Sequence, residues 1–280
     1  MLKREFSFVL RKKVGIYEES KTIDLNNYKA AGFAINPTGF GMNADFDMLR
    51  IGNNNIVNIY NLDLPQIGLE IVFKSYDAFN NFAKKMAWGN YQAELVYKVP
   101  LNGQLEEFRR KVAIVNITKG EIVNGYLSSQ ITMTPKSFWY KDNYREISLV
   151  ADTQRIIDID AASDLPREII FNVTKGQSLT VSYSAAYSGN QKLKLKNLNA
   201  SELNSYTKIS YSSESGEAYI NAINSSGTLK KDLLNSKFVD FTYTTTPFIK
   251  MVAGESGYLR FTNDVDSTLE LTIRDFYIMV

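Results

Sequence analysis

The chain has 280 residues, enough for two domains, and its 44% apolar content is that of a globular protein with sizeable cores. Its 32 basic and 30 acidic side chains leave a net charge of +2, so bulk electrostatics call for no polyanionic partner. Cysteine and histidine are both absent, which excludes disulfides, thiol nucleophiles, a Ser-His-Asp triad and the usual zinc centre.

The opening MLKREFSFVLRKKVG has only a broken apolar stretch followed at once by positive charge, so no secretion leader is expected. The apolar runs fall far short of the roughly 20 residues that a spanning helix needs, and a soluble protein is expected. The clusters Arg11-Lys12-Lys13 and Arg109-Arg110-Lys111 are read as solvated strand ends.

Residues 1–60 hold the candidate strands EFSFVL, KTIDL and IVNIY. Between them, AAGFAINPTGFGMNADFD mixes glycine and proline with scattered aromatics, so regular pairing should break there. A long irregular segment of this kind either folds over a sheet edge or reaches a partner. Gly52-Asn53-Asn54-Asn55 is a further turn signal.

Residues 67–143 are the most regular part of the chain. IGLEIVFK alternates, with Leu69, Ile71 and Phe73 on one face. SYDAFNNFAKKMAWG reads as an amphipathic helix over about 76–88, capped by Ser75, with Asp77 at the positive end of its dipole. Phe79, Phe82, Ala83 and Met86 define its buried stripe, Lys84 and Lys85 suit its last turn, and Gly89 is expected to end it in the left-handed conformation. A hairpin follows, with Asn102-Gly103 at its turn. Then comes a strand at Leu127–Met133 with clean period-two alternation, running into PKSFWYKDN.

Residues 144–166 carry mixed charge and end in proline, and they are read as the crossing between domains. Beyond them the expected strands are REIIFNVT, SLTVSYSA, KLKLKNL, KISYSS, AYINAI, FVDFTY, FIKMVA, GYLRFT and LELTIRDFYIMV. Many short strands with Gly, Ser and Asn turns argue for a β-sandwich. Lys192, Lys194 and Lys196 alternate with Leu193 and Leu195, which suits a protected edge strand, and a break of phase at Asp275 suggests a bulge.

Catalytic constellations are weak. Asp158, Asp160 and Asp164 lack the spacing and glycine of a calcium loop, and TGFGMNADF is followed by no helix that could hold a phosphate. Glu106, Glu107, Glu217, Glu255 and Glu270 offer carboxylates without a spacing that favours any pair for glycoside hydrolysis. A carbohydrate-binding module competes better, with Trp88 and Trp139 or Tyr183, Tyr187, Tyr206, Tyr211, Tyr219 and Tyr258 as stacking platforms, although strand tyrosines more often pack than stack on ligands. The reading is no enzyme, no metal and no cofactor.

The pattern and order of residues 25–143 resemble the distal tail protein of long-tailed, non-contractile bacteriophages, in the baseplate form of lactococcal-type phages. NPTGFGMN, IGLEIVFKSYDAFNNFAKKMA, QAELVYKV, KVAIVNITKG and SSQITMTPKSFWYKD carry the resemblance. It implies a mainly β protein of two β-sandwich domains, residues 1–148 with the flanking helix and residues 149–280 with a galectin-like shape. Galectin sugar sites rely on histidine and tryptophan, which residues 144–280 lack, so the likeness concerns fold alone. It further implies a homohexameric ring in the virion tail tip, made in the host cytoplasm, with no membrane partner. That ring joins the tail tube protein to tail-tip and receptor-binding proteins and passes DNA through its channel. The ring contact is sought in the Gly32–Asn55 segment and the Asn102 hairpin, at Phe33, Phe40, Met42, Phe46, Asn102 and Gly103. The alternative is a host-surface carbohydrate-binding adhesin.

Overall fold

The computed structural model describes residues 3–14, 17–27, 32–41, 43–51, 54–101 and 103–280; the side chains of residues 13, 14, 17, 18, 43–51 and 54–63 lie outside the description. Two compact units make up the chain, Met1–Tyr140 with Tyr277–Val280, and Lys141–Phe276.

The first unit contains β1 (Glu5–Val14), β2 (Tyr17–Asp24), β3 (Asn26–Asn27), β4 (Gly32–Thr38), β5 (Asn43–Ile51), β6 (Asn54–Asp63) and β7 (Ile67–Phe73). Helix α1 (Tyr76–Trp88) follows, then β8 (Gln92–Leu101), β9 (Gln104–Ile117), β10 (Ile122–Val123), β11 (Tyr126–Pro135) and the start of β12 (Trp139–Leu149). The main sheet runs β2-β1-β8-β9-β11-β7-β4-β3, antiparallel throughout. It curls round to its own start: the Leu25 N–H donates to the Phe6 carbonyl at 2.9 Å, and the Asn26 side chain accepts from the Phe6 N–H at 2.8 Å. The alternating residues of each strand therefore fill one enclosed core, with Phe8, Leu10, Leu69, Ile71, Phe73, Leu95, Val112, Leu127, Ile131 and Met133 all buried.

Helix α1 closes that core. Ser75 caps it by accepting from the Ala78 N–H at 3.2 Å, and Phe79, Phe82 and Met86 point inward. The ring of Phe82 lies 5.4 Å from Phe73 and 6.4 Å from Phe8. Gly89 departs from expectation, since its φ is −78° and the positive φ values fall on Asn90 (53°) and Tyr91 (57°). Glycine eases the packing there, because a Cβ would press on Leu10 and the Gln92 carbonyl at 3.2 Å.

Within the segment expected to be irregular, Gly32–Thr38 and the residues from Asn43 onward are strand. β4 pairs with β7, and a register shift between Ile35 and Thr38 absorbs Asn36, at φ 48°, and Pro37. A bulge lets a strand tolerate residues that cannot hold the ladder. Beyond Gly39, which has φ 76°, β5 and β6 form a hairpin paired from Asn43↔Asp63 to Ile51↔Asn54.

The second unit contains β13 (Arg155–Ile159), β14 (Glu168–Thr174), β15 (Leu179–Ala185), β16 (Gly189–Leu195), β17 (Lys208–Ser212), β18 (Tyr219–Ile223), β19 (Lys230–Asp232), β20 (Gly257–Asn263) and β21 (Ser267–Tyr277). One sheet runs β19-β18-β17-β14-β21 and the other β13-β20-β15-β16. Their inner faces share one core that includes Ile169, Phe171, Val181, Tyr183, Tyr211, Leu259, Phe261 and Leu271, so the unit is a β-sandwich. Three expectations change here. Arg155–Ile159, within the stretch read as the crossing between domains, forms β13 with Ile157 and Ile159 buried. FVDFTY and FIKMVA form no strand; each makes one isolated bridge, Val239 with Leu195 and Met251 with Arg167. At Asp275 the phase breaks because Arg274 and Asp275 are both buried for ion pairing, with Asp275 2.5 Å from Arg167 and Arg274 2.7 Å from Asp142.

Candidate functional site

Two features of the first unit are left uncovered by other strands among the described residues. The β5–β6 hairpin is a sheet of its own, pairing with no other strand among the described residues. The second feature lies beside α1. There β8 stops pairing with β9 at Gln92↔Ala113, which leaves Val115–Ile117 open on that side. A register shift against β11 inserts Val115 as an extra residue, and its side chain is 58% exposed. Phe79, Ala83, Tyr91, Ile114, Val115, Asn116 and Ile117 line a groove of about 380 Å³ along this edge. Tyr76 and the β10–β11 hairpin residues Ile122, Val123 and Tyr126 add exposed apolar surface to the same unit.

Of the residues expected at the ring contact, Phe33 lies on β4, 41% exposed and paired with Asn26 and Val72. Phe40 turns into its own unit. Its ring is 5.0 Å from Trp139, 5.1 Å from Tyr97 and 6.0 Å from Phe6, and its carbonyl accepts from the Trp139 indole N–H. Phe46 pairs with Ile59 through its backbone, while its side chain lies outside the described residues, as do Met42 and Asn102 altogether. Leu101↔Gln104 closes the β8–β9 hairpin, leaving Gly103 at φ 81° with open space around it. Phe33, Phe40 and the β5–β6 hairpin, an arm standing apart from the main sheet, thus follow one another along the chain, whereas Gly103 belongs to a separate hairpin tip. The groove beside α1 was not foreseen, since it depends on a bulge that sequence alternation does not announce.

Three of the carboxylates considered for hydrolysis are engaged elsewhere. Glu107 pairs with Arg109 at 2.7 Å, and Glu270 with Lys208 at 2.8 Å. Burial pushes the Glu255 carboxyl up, but hydrogen bonds from Ser188 and Tyr187 outweigh it and hold the group below the usual range. Among the described residues no cluster of three acidic side chains could hold a metal ion. Of the tyrosines considered as sugar platforms, Tyr183 and Tyr211 are buried, Trp139 likewise, while Tyr187 and Tyr258 are exposed.

Residues 14–136 match the family described as distal tail protein, N-terminal domain. The whole chain shares its fold with structures of the phage P2 baseplate in its activated conformation. With calcium the TM-score is 0.68 at 13% identity, covering 100% of each chain. With strontium it is 0.67 at 13% identity, covering 99% of this chain and 100% of that one. The phage SPP1 Dit protein, described as a paradigm of the hub adsorption apparatus in phages infecting Gram-positive bacteria, gives 0.51 at 10% identity over 96% and 98% of the two chains. No curated protein matches the sequence significantly. Residues 14–136 thus match the N-terminal domain of distal tail proteins, and the chain as a whole shares its fold with the P2 baseplate and SPP1 Dit structures.

Proposed function

We propose that this protein is a structural subunit of a phage tail: six copies close a ring at the tail tip, which joins the tail tube to tail-tip and receptor-binding proteins and lets DNA pass. In this reading the first unit, Met1–Tyr140 with Tyr277–Val280, builds the ring, and the second, Lys141–Phe276, forms the outer sandwich. The protein catalyses nothing; its acidic side chains serve as ion-pair partners and caps. A net charge of +2 suits a channel wall that must not retain phosphate.

The observation that carries the reading is the match of residues 14–136 to the distal tail domain. The unpaired arm supplies the physical means. An isolated two-stranded hairpin is marginal in water, so β5–β6 needs a surface to cover it. The groove beside α1 offers the same unit's exposed Val115 and a strand edge that β8 leaves uncovered. Arm and groove are different patches, so their contact between copies is head-to-tail, the kind that closes into a ring. Phe40 anchors the root of the arm, and Phe33 and the Gly103 tip stand at the contact.

Mass measurement in solution tests this, with the tail-tip partner added if the chain alone does not assemble. A particle six times the chain mass is expected, and Val115→Glu should dissociate it. A species that stays monomeric with its partner, and binds cell-wall saccharide in that state, overturns the ring in favour of the adhesin.

A further inference from the structure

The β13-β20-β15-β16 sheet buries one face in the core, and register fixes what its other face carries. Asp158, Tyr258, Ser184 and Asn190 form one row across the four strands. Ile156, Arg260, Ser182 and Lys192 form the next, and Thr262, Thr180 and Lys194 a third. Residues two apart share a face, so all of these stand opposite the buried Leu259, Val181 and Leu193.

The loop 240–246 widens this face beyond the edge strand β16. The N–H groups of Lys192 and Lys194 donate to the hydroxyls of Thr245 (2.7 Å) and Thr244 (3.0 Å), and the Lys194 carbonyl accepts from Asp240. Tyr243 is thereby placed with its ring 5.6 Å from the Lys192 ammonium and 4.3 Å from that of Lys194. Two exposed aromatic rings, Tyr258 and Tyr243, flank the face. Three strand spacings separate them, roughly 14 Å.

The charges between them are unequally satisfied. Asp240 lies 3.8 Å from Lys194 and 3.9 Å from Lys196. Arg260 and Lys192 have no carboxylate within 4.0 Å among the described residues; Arg260 stacks over Tyr258 at 5.5 Å. These two cations stand on either side of Ser182, and hydroxyls of Thr180, Ser184 and Thr262 surround them.

We propose that this face binds an anionic polysaccharide. Sugar rings lie against Tyr258 and Tyr243, and a carboxylate or phosphodiester of the polymer bridges Arg260 and Lys192 above Ser182. Charge complementarity favours this occupant, since the two unpaired cations outnumber Asp158, the one unpaired acid in the rows. A protein partner fits less well, because protein interfaces place a dry apolar patch at their centre and this face places a serine between two cations. The sequence charge of +2 gave no hint of it, because the cations are gathered by register across strands 60 residues apart and more.

The test is titration of the full-length protein at low ionic strength with three probes: polygalacturonate oligomers, poly(glycerol phosphate) oligomers and a neutral cello-oligosaccharide. At least one anionic probe should bind, weaken as salt rises, and exceed the neutral glucan. The polyuronate and polyphosphate arms identify which anionic group is held. The double substitution Lys192→Ala/Arg260→Ala should weaken binding about tenfold or more, and Tyr258→Ala a few-fold, with unchanged melting temperatures. Lys84→Ala/Lys85→Ala on α1 should leave it intact. Failure of both anionic probes, equal binding of the neutral glucan, full binding by the double variant, or equal loss in the α1 variant each overturns the proposal.

Discussion

At the scale of single residues, Arg110 breaks the rule that its strand obeys. Phe108, Arg110, Val112 and Ile114 alternate inward on β9, so a guanidinium occupies a place that calls for hydrocarbon, and it is 0% exposed. Its Nε donates to the Ser137 carbonyl at 2.8 Å and its plane lies 5.4 Å from the Trp139 ring. The two Nη atoms have no hydrogen-bond partner among the described residues, and burial draws the pKa down to about 10. An unsatisfied buried charge is destabilising, so Arg110→Met, which keeps the chain length over Trp139, should raise stability by roughly 1–3 kcal/mol in urea unfolding. Glu70 is the opposite case. Ser128 donates to one carboxylate oxygen at 2.5 Å and Asn36 to the other at 2.8 Å, and these bonds hold its pKa below the ordinary 4.5. A depressed acid stabilises the fold above its unfolded pKa, and that stability is lost as pH falls through the folded value. Ser128→Ala should therefore lower the urea midpoint at pH 7, and the gap to wild type should narrow by pH 3. A gap that stays constant with pH would show that the hydroxyl acts on packing alone.

At the scale of elements, α1 was legible to the residue because its signals agree: a capping serine, an acidic first turn and three inward apolar side chains at helical spacing. Phe82→Ala should cost about 3–5 kcal/mol, since the ring meets both Phe73 and Phe8, and Ser75→Ala about 1 kcal/mol; equilibrium denaturation reads both. The alternating strands β7, β11, β14, β15 and β20 were equally plain. What the sequence concealed was strand built from poor strand formers. β4 holds Asn36 and Pro37 because a bulge takes them out of register, and β13 is disguised by three aspartates around its two buried isoleucines. FVDFTY has the composition of a strand, yet most of it turns along the edge of β16, where Thr244 and Thr245 supply the bonds that a strand would. The candidate surfaces were hidden for the same reason. The groove depends on the displacement of Val115, and the cationic face depends on register between distant strands.

At the scale of the whole molecule, the second unit is an insertion within the first: the chain leaves the first unit after Tyr140 and re-enters it at Tyr277. Both points are tied to the same strand of the first unit. Tyr140 pairs with Arg109, and the Tyr277 ring packs on Phe108 at 5.2 Å. Two ends held beside consecutive residues of β9 can be joined by a short flexible bridge at small entropic expense. The inserted unit in turn has a continuous core of its own, drawn from both its sheets. Each unit should therefore fold without the other. Residues 141–276 expressed alone should unfold in one cooperative urea transition, and the first unit with those residues replaced by a short Gly-Ser bridge should do the same. The full chain should then show two transitions at those midpoints. The Phe82→Ala substitution should move only the first unit's transition, and a cavity cut at Phe171, stacked 4.7 Å from Tyr211, only the second's. One shared transition that both substitutions move together would mean that neither unit is stable alone.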